Sequence, residues 1–155
     1  MKKFCKVIIL DNLAEYEGII VTSFEATKSF FENIKNKKFN LVLRFQTDED
    51  LNETLNYIFK NGNICLVAEE VDFISNAYGN NKYFEKILKY GRHKKIDLIA
   101  ISRRPAEVSR LLTSQCDEII SFRQNEERDL DFLEKRGFDR EKLRSLKDFE
   151  SLVIN

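Results

Sequence analysis

The sequence has no Trp, one Pro, one Met and one His among its 155 residues. A single histidine, His93, with no Cys- or His-rich neighbourhood argues against a metal centre. Three cysteines, Cys5, Cys65 and Cys116, are odd in number and widely spaced in apolar or strand-like contexts. That pattern gives neither a disulfide framework nor a zinc site and fits reduced thiols. No apolar run approaches the roughly 18 residues of a membrane span, and the apolar stretch after Met1-Lys2-Lys3 is too short for a signal peptide. The expected compartment is therefore the cytoplasm. The formal net charge is zero, so no overall charge points to nucleic acid or membrane. With 43% hydrophobic and 34% charged residues the chain is neither disordered nor membranous, and it is of a size to form one domain spanning 1–155.

What is abundant is phenylalanine, thirteen residues, which is expected to supply much of the aromatic core. Charge is uneven: residues 1–78 hold nine Lys/Arg against twelve Asp/Glu, and residues 79–155 hold seventeen against fourteen. The excess concentrates between Lys82 and Arg110, where nine basic residues face three acidic ones. Such a stretch reads either as a solvated helix face with its loop or as a contact for phosphates.

Short β-branched runs alternate with helical patterns along the chain. Strands are expected at Lys6–Leu10, Ile19–Val21, Leu41–Phe45, Ile64–Ala68, Leu98–Ile101, Ile119–Phe122 and Leu152–Ile154. Helices are expected from a Thr22/Glu25 capping box to about Lys38, and from Thr47 to Asn61-Gly62, where Asp48, Glu49 and Asp50 suit the positive end of the helix dipole. Others span Lys82–Tyr90, Pro105 to Ser114, Glu126–Arg136 and Arg140–Leu146. Between them Ser75–Asn81 reads as a polar loop. The alternation predicts an α/β fold, a mostly parallel sheet with helices on both faces.

In open parallel sheets, ligands bind outside the carboxyl ends of the strands. Two groups are expected on that edge. Ile64–Ala68 ends in Glu69-Glu70, adjacent carboxylates of the kind that support Mg²⁺ and the attacking water in phosphoryl transfer, although buried strands ending in acids are common without such a role. Asp97–Ile101 ends in Ser102, Arg103 and Arg104, a hydroxyl and two guanidinium groups suited either to phosphate or to plain salt bridges with Glu69 and Glu70. Arg92, after the helix-ending Gly91, has the ordinary look of a surface charge.

The order of the segments VIILD, GIIVTSFE, NLVLRF, ICLVAEEVDFI, KYGRHKKIDLIAISRRPAEVSRLLTSQCDEIISFRQ and ERDLDFL resembles HerA/FtsK-class P-loop ATPases, in particular the zonula-occludens-toxin-like and phage DNA-packaging branch. The resemblance covers roughly residues 6–154 and is most specific from Tyr90 to Gln124. It implies that Glu69 stands at the Mg²⁺-associated acid, Glu70 at the catalytic glutamate and Ser102 at the polar sensor, with Arg103 and Arg104 facing phosphate. It also implies that Arg92 could reach a neighbouring subunit's nucleotide. Two features depart from the pattern. None of Gly18, Gly62, Gly79, Gly91 and Gly137 is followed by Lys, so the backbone cradle and lysine of a Walker A loop are not found. Glu69 is one methylene longer than the aspartate of the family, at a position with little geometric tolerance.

The expectation is a P-loop-NTPase-like core without its first strand, phosphate loop and first helix, which does not hydrolyse ATP alone. ATP and Mg would enter only if a partner completed the site. Three functions remain open: a non-catalytic domain assembling with itself or with an intact ATPase, a nucleic-acid-binding accessory using Lys82–Arg110, or an ATPase subunit completed by a phosphate loop on another polypeptide. Without the inner strand, Leu98–Ile101 should pair with Ile119–Phe122 or accept a strand from elsewhere.

Overall fold

The structure is a computed structural model, and it describes residues 6–34 and 38–155. Cys5 and the far end of the expected first helix lie outside the described residues. Five parallel strands form the main sheet: β1 (Lys6–Leu10), β2 (Ile19–Val21), β3 (Phe39–Leu43), β4 (Ile64–Ala68) and β7 (Ile96–Ala100), in the order β2-β3-β1-β4-β7. Helices α1 (Phe24–Ile34), α2 (Asp48–Asn61), α3 (Lys82–Tyr90) and α4 (Arg110–Gln115) surround it. The parallel α/β architecture expected from the sequence is the one observed.

The principal core follows from the period of two along each strand. Ile8 and Leu10, Leu41 and Leu43, Ile64, Leu66 and Ala68, and Ile96 point to one face, where Leu55, Ile58, Phe84, Ile87 and Leu112 of the helices meet them. Phenylalanine does supply aromatic packing here: Phe30, Phe31 and Phe39 make edge-on contacts with ring centroids 5.2–6.2 Å apart.

Local chemistry explains where the elements begin and where expectations shift. The Thr47 side chain accepts from the Asp50 N–H at 3.2 Å, as expected of an N-cap. The Thr22/Glu25 capping box does not form. Ser23 Oγ instead accepts from the Ala26 N–H, and Asp50 reaches across to accept from the Phe24 N–H at 2.7 Å, tying the start of α1 to the start of α2. Lys38 is not helical. Pro105 opens only a single 3₁₀ turn, Pro105–Glu107. The chain then extends because the Ser109 N–H and hydroxyl are both engaged with Ser75, and Ser109 caps the separate helix α4. The Ser75–Asn81 stretch contains a tight hairpin, β5 (Ser75–Asn76) with β6 (Gly79–Asn80), that puts Tyr78 almost wholly in solvent.

The α2–β4 turn needs Gly62. At φ +61° a Cβ there would lie 2.2 Å from the Lys94 carbonyl oxygen, so a side chain would push this turn off the one that leads into β7.

One topological expectation is corrected. β8 (Ile119–Ser121) does not pair with β7; it pairs antiparallel with β9 (Leu152–Ile154) in a sheet of its own. That hairpin-like pair packs with α5 (Glu127–Glu134) and α6 (Arg140–Ser145) around Leu130, Leu133, Phe138 and Leu143, a second apolar cluster. Burial of Ile119, Leu152 and Ile154 against this cluster fixes the β8 side chains toward it. Among the described residues β7 therefore ends the main sheet.

Candidate functional site at the carboxyl edge

Each central strand delivers polar groups to the same edge. β1 ends at Asp11, β4 at Glu69 and Glu70, and β7 leads through Ile101 to Ser102 and Arg103. Backbone bonds keep the ends level: the Asp11 N–H donates to Leu43 O, Glu69 N–H to Leu10 O, and Ile101 N–H to Ala68 O, at 2.9–3.2 Å.

Asp11 is the best-satisfied acid of the edge. Its carboxylate accepts from the N–H groups of Glu15 and Tyr16 at 3.0 and 3.2 Å and from Arg44 Nε at 2.8 Å. Arg44 Nη2 also donates to the Tyr16 carbonyl at 2.7 Å. Burial pushes the Asp11 carboxyl up, but the Glu15 N–H, Arg44 and the Tyr16 N–H together outweigh it and hold the group below its ordinary value. Asp11 and Arg44 thus anchor the loop that carries the chain from β1 to β2. An acid closing a buried apolar strand is the one sequence signal for Asp11, and no local pattern singles out Arg44.

Glu69 has the opposite environment. Burial, then the charges of Glu15 and Asp11, raise its carboxyl above the ordinary value, and Arg103 offsets only part of this. One of its oxygens, Oε2, is buried without a hydrogen-bond partner. Glu70 is nearly buried, sits in left-handed backbone geometry at φ 45°, ψ 54°, and is ion-paired with Arg103. That conformation is costly for a residue with a Cβ and is stabilised by the turn around it, with the Val71 N–H donating to Ile101 O and the Phe73 N–H to Glu70 O.

Ser102 donates to Asp72 Oδ1 at 2.9 Å and accepts from the Arg104 N–H at 3.1 Å. Arg104 turns away from the acids of the edge. Its Nε donates to Asp129 Oδ2 at 3.0 Å, and the other oxygen of Asp129 accepts from the Ala106 N–H at 2.9 Å. Asp129, buried on α5, thereby ties the segment after β7 to the second apolar cluster. No sequence signal singled out Asp72 or Asp129. Arg92 lies before β7, at the opposite end of that strand, exposed and paired with Asp117 at 2.9 Å. The structure therefore groups Glu69, Glu70, Ser102 and Arg103 and leaves Arg92 apart. The basic stretch is also dispersed, since Lys89, Arg92, Arg103 and Arg104 are each matched to an acid.

Among the described residues no group of three or more His, Cys, Asp or Glu is placed to hold a metal ion, and no glycine is followed by Lys. A groove of about 430 Å³ lies elsewhere, between the start of α2 and the hairpin, lined by Asp48, Asn52, Phe73, Tyr78 and Asn81 among others.

Comparison with solved proteins places this arrangement of strands and helices beside known structures. The fold is similar to that of a viral genome-packaging NTPase. The B204 genome-packaging NTPase of Sulfolobus turreted icosahedral virus 2, solved in complex with AMP, aligns over 96% of this chain and 76% of its own, with a TM-score of 0.72 and 22% identity. The same protein with ATP-gammaS gives 0.70 and 21% identity over 97% of this chain and 76% of its own. B204 of Sulfolobus turreted icosahedral virus, a DNA-packaging ATPase, gives 0.69 and 23% identity over 97% of this chain and 77% of its own. No protein-family profile matches the sequence, and no curated protein matches it. The α/β fold expected from the sequence is the fold these structures share.

A charge substitution tests the Glu69 environment. Glu69→Gln keeps the shape, lets an amide N–H donate toward Glu15, and removes a crowded negative charge. The melting temperature at neutral pH is expected to rise by about 2–4 °C, the effect of roughly 1 kcal/mol in a domain of this size. Because the folded Glu69 carboxyl sits above its ordinary value of 4.5, its charge costs stability once deprotonated. The gain from Glu69→Gln should therefore grow as pH rises through the folded value and vanish below 4.5. Thermal melts of both proteins across pH check this; a gain independent of pH would refute it.

Proposed function

We propose that this chain is an ATPase-like domain related to DNA-translocating and packaging motors that does not hydrolyse ATP alone. It acts in the cytoplasm, by assembling with itself or with an intact ATPase partner. The observation that carries this is the state of the β4 acids on a packaging-NTPase fold. Glu70 is engaged by Arg103 within the chain, Glu69 is crowded by Asp11 and Glu15, and no glycine-lysine loop is available to hold phosphates. Glu69 and Glu70 are then a remnant acid pair, Ser102 and Arg103 the phosphate-facing end of β7, and Arg92 an exposed guanidinium available to a neighbour's nucleotide. Its partner on this chain, Asp117, is equally exposed, so that pair is weakly held. No described helix is long and apolar enough to cross a membrane.

Calorimetry with ATP·Mg²⁺ tests the reading. The purified chain should give no saturable heat at millimolar nucleotide. Saturable binding abolished by Glu69→Ala would show that a nucleotide site exists without the loop and would overturn it.

A second reading is favoured by one observation, the unpartnered buried oxygen of Glu69: an ATPase subunit whose phosphate loop is supplied by another polypeptide. Contact with DNA through Lys82–Arg110 has less support, because Arg103 and Arg104 of that stretch are matched to acids.

A further inference from the structure

The cations of the Lys82–Arg110 stretch divide into two sets. Lys89, Arg92, Arg103 and Arg104 are ion-paired, whereas Lys82, Lys86 and Lys94 have no carboxylate within ion-pair distance among the described residues. These three gather instead over two rings. Lys86 Nζ lies 5.8 Å from the Phe59 ring centroid and 6.0 Å from that of Tyr83, Lys94 Nζ 5.9 Å from Phe59, and Lys82 Nζ 5.7 Å from Tyr83. The rings are half-buried and the lysines exposed, so the aromatic faces hold the stems and leave the ammonium groups in solvent. Lys82 and Lys86 stand one turn apart on α3, about 6 Å along its axis. Lys94 continues the row from the 3₁₀ turn that follows, Gly91–Lys94.

The acids nearby do not answer these charges. Glu85 is taken by Lys89 and Asp117 by Arg92. Glu53 lies on the flank of Tyr57, which packs against Phe24 and Phe31 of α1. Asp48, Glu49 and Asp50 stand at the opposite end of α2 from Phe59, about 13 Å or more along the axis. Asp97, close to Lys94 in sequence, points to the other face of the sheet, because Ile96 and Leu98 on either side of it join the core under α2 and α3. What α2 offers to this face is amide. Asn52 accepts from Asn81 at the start of α3 at 2.7 Å, and Phe59 lies under Lys86, so Asn56, at helical spacing between Asn52 and Phe59, faces α3 as well.

We propose that the row Lys82, Lys86 and Lys94 holds the sugar-phosphate backbone of a nucleic acid on the outer face of α2 and α3, with Asn52 and Asn56 as amide donors beside it. Clustered ammonium groups without an acid are what a chain of phosphates neutralises, each contact releasing a counterion. An acidic peptide fits less well, because the lysine stems already cover the two rings and leave its side chains little apolar surface to bury. Phosphates carry no sequence, so the contact is independent of sequence. With a formal net charge of zero, the row and not the molecule as a whole attracts the strand. This contact lies outside the carboxyl edge, needs neither Arg103 nor Arg104, and does not depend on the nucleotide reading above.

The test is fluorescence anisotropy of a labelled thymidylate oligomer of about 20 nucleotides, titrated with the full chain from about 50 to 200 mM salt. Three single-strand phosphate contacts give log K a slope of roughly −2 against log[salt]. Lys86→Gln with Lys94→Gln should weaken binding about tenfold or more at the lowest salt and bring the slope to roughly −0.7. Lys135→Gln with Lys147→Gln removes the same charge from exposed positions elsewhere and should leave the affinity within about twofold. All four substitutions are on the surface, so melting temperatures should stay within about 2 °C of the parent. No saturation at hundreds of micromolar protein and the lowest salt would overturn the proposal. Equal losses in the two double variants would do the same, since binding would then follow net charge. Displacement by poly-glutamate as readily as by unlabelled DNA of equal charge would also sink it, because an acidic protein would then serve as well. The ATP·Mg²⁺ calorimetry reads the carboxyl edge and is separate from every one of these outcomes.

Discussion

Arg44→Met should cost about 3 kcal/mol of unfolding free energy, and the melting temperature should fall by roughly 6–10 °C. The substitution keeps most of the side-chain volume and deletes the charge that faces the fully buried Asp11 carboxylate. Asp11 keeps its two backbone donors, so the loss lies at the lower end of what breaking a buried pair costs. The pH dependence gives a second readout. Asp11 titrates below its ordinary value of 3.8 in the fold, so its contribution is complete above that value and is lost as pH falls through the folded one. Without Arg44 the opposing effect of burial gains, the folded carboxyl rises, and acid unfolding should begin at higher pH. A double-mutant cycle with Asp11→Asn isolates the pair: the double variant should lose clearly less than the sum of the singles. Strict additivity would mean that Arg44 acts only through the Tyr16 carbonyl.

Asp129→Ala should have a comparable effect of another kind. The carboxylate is 1% exposed and accepts from Arg104 Nε and the Ala106 N–H, so its removal leaves a half-exposed guanidinium with only Glu126 and a backbone donor without its acceptor. A loss of about 3 kcal/mol is expected. Beyond the magnitude, the second cluster should uncouple: amides of Leu130 and Leu133 should exchange through a lower-energy opening than those of Leu66 and Leu41. Asp129→Asn, which retains one acceptor, should recover part of both effects. If all four amides still exchange through one global opening in Asp129→Ala, Asp129 is not the link between the two clusters.

The legible parts of the fold were those set by local chemistry. β4 and α3 fall at the expected residues because a continuous apolar run bounded by Gly62 and Glu69 can only be a short strand, and because Asn81 accepts from the N–H groups of Tyr83 and Phe84 to open its helix. The Thr22/Glu25 box does not form because the helix starts one residue later: Ser23 accepts from the Ala26 N–H, and Asp50 of another helix takes the Phe24 N–H. Pro105 and Ser109 show the same competition, since contacts with Ser75, far away in sequence, override the helix that Pro105 would start. At the site, Glu69, Glu70, Ser102 and Arg103 were readable because strand ends in a parallel sheet share an edge. The partners that fix their state, Asp11, Arg44, Asp72 and Asp129, were not, because each acts across a gap in sequence that no local pattern spans.

By itself the sequence determined the alternation of strands and helices, the parallel sheet, the carboxyl edge that collects the acids, and the lack of a glycine-lysine loop among its residues. Period and capping are properties of neighbouring residues, so they are written locally. Only the tertiary structure decided that β8 leaves the main sheet for β9, that Arg103 and Arg104 turn to different acids, and that Glu69 is crowded while Asp11 is satisfied. Those outcomes depend on which distant groups reach a carboxylate or a strand edge first, and only packing settles that competition.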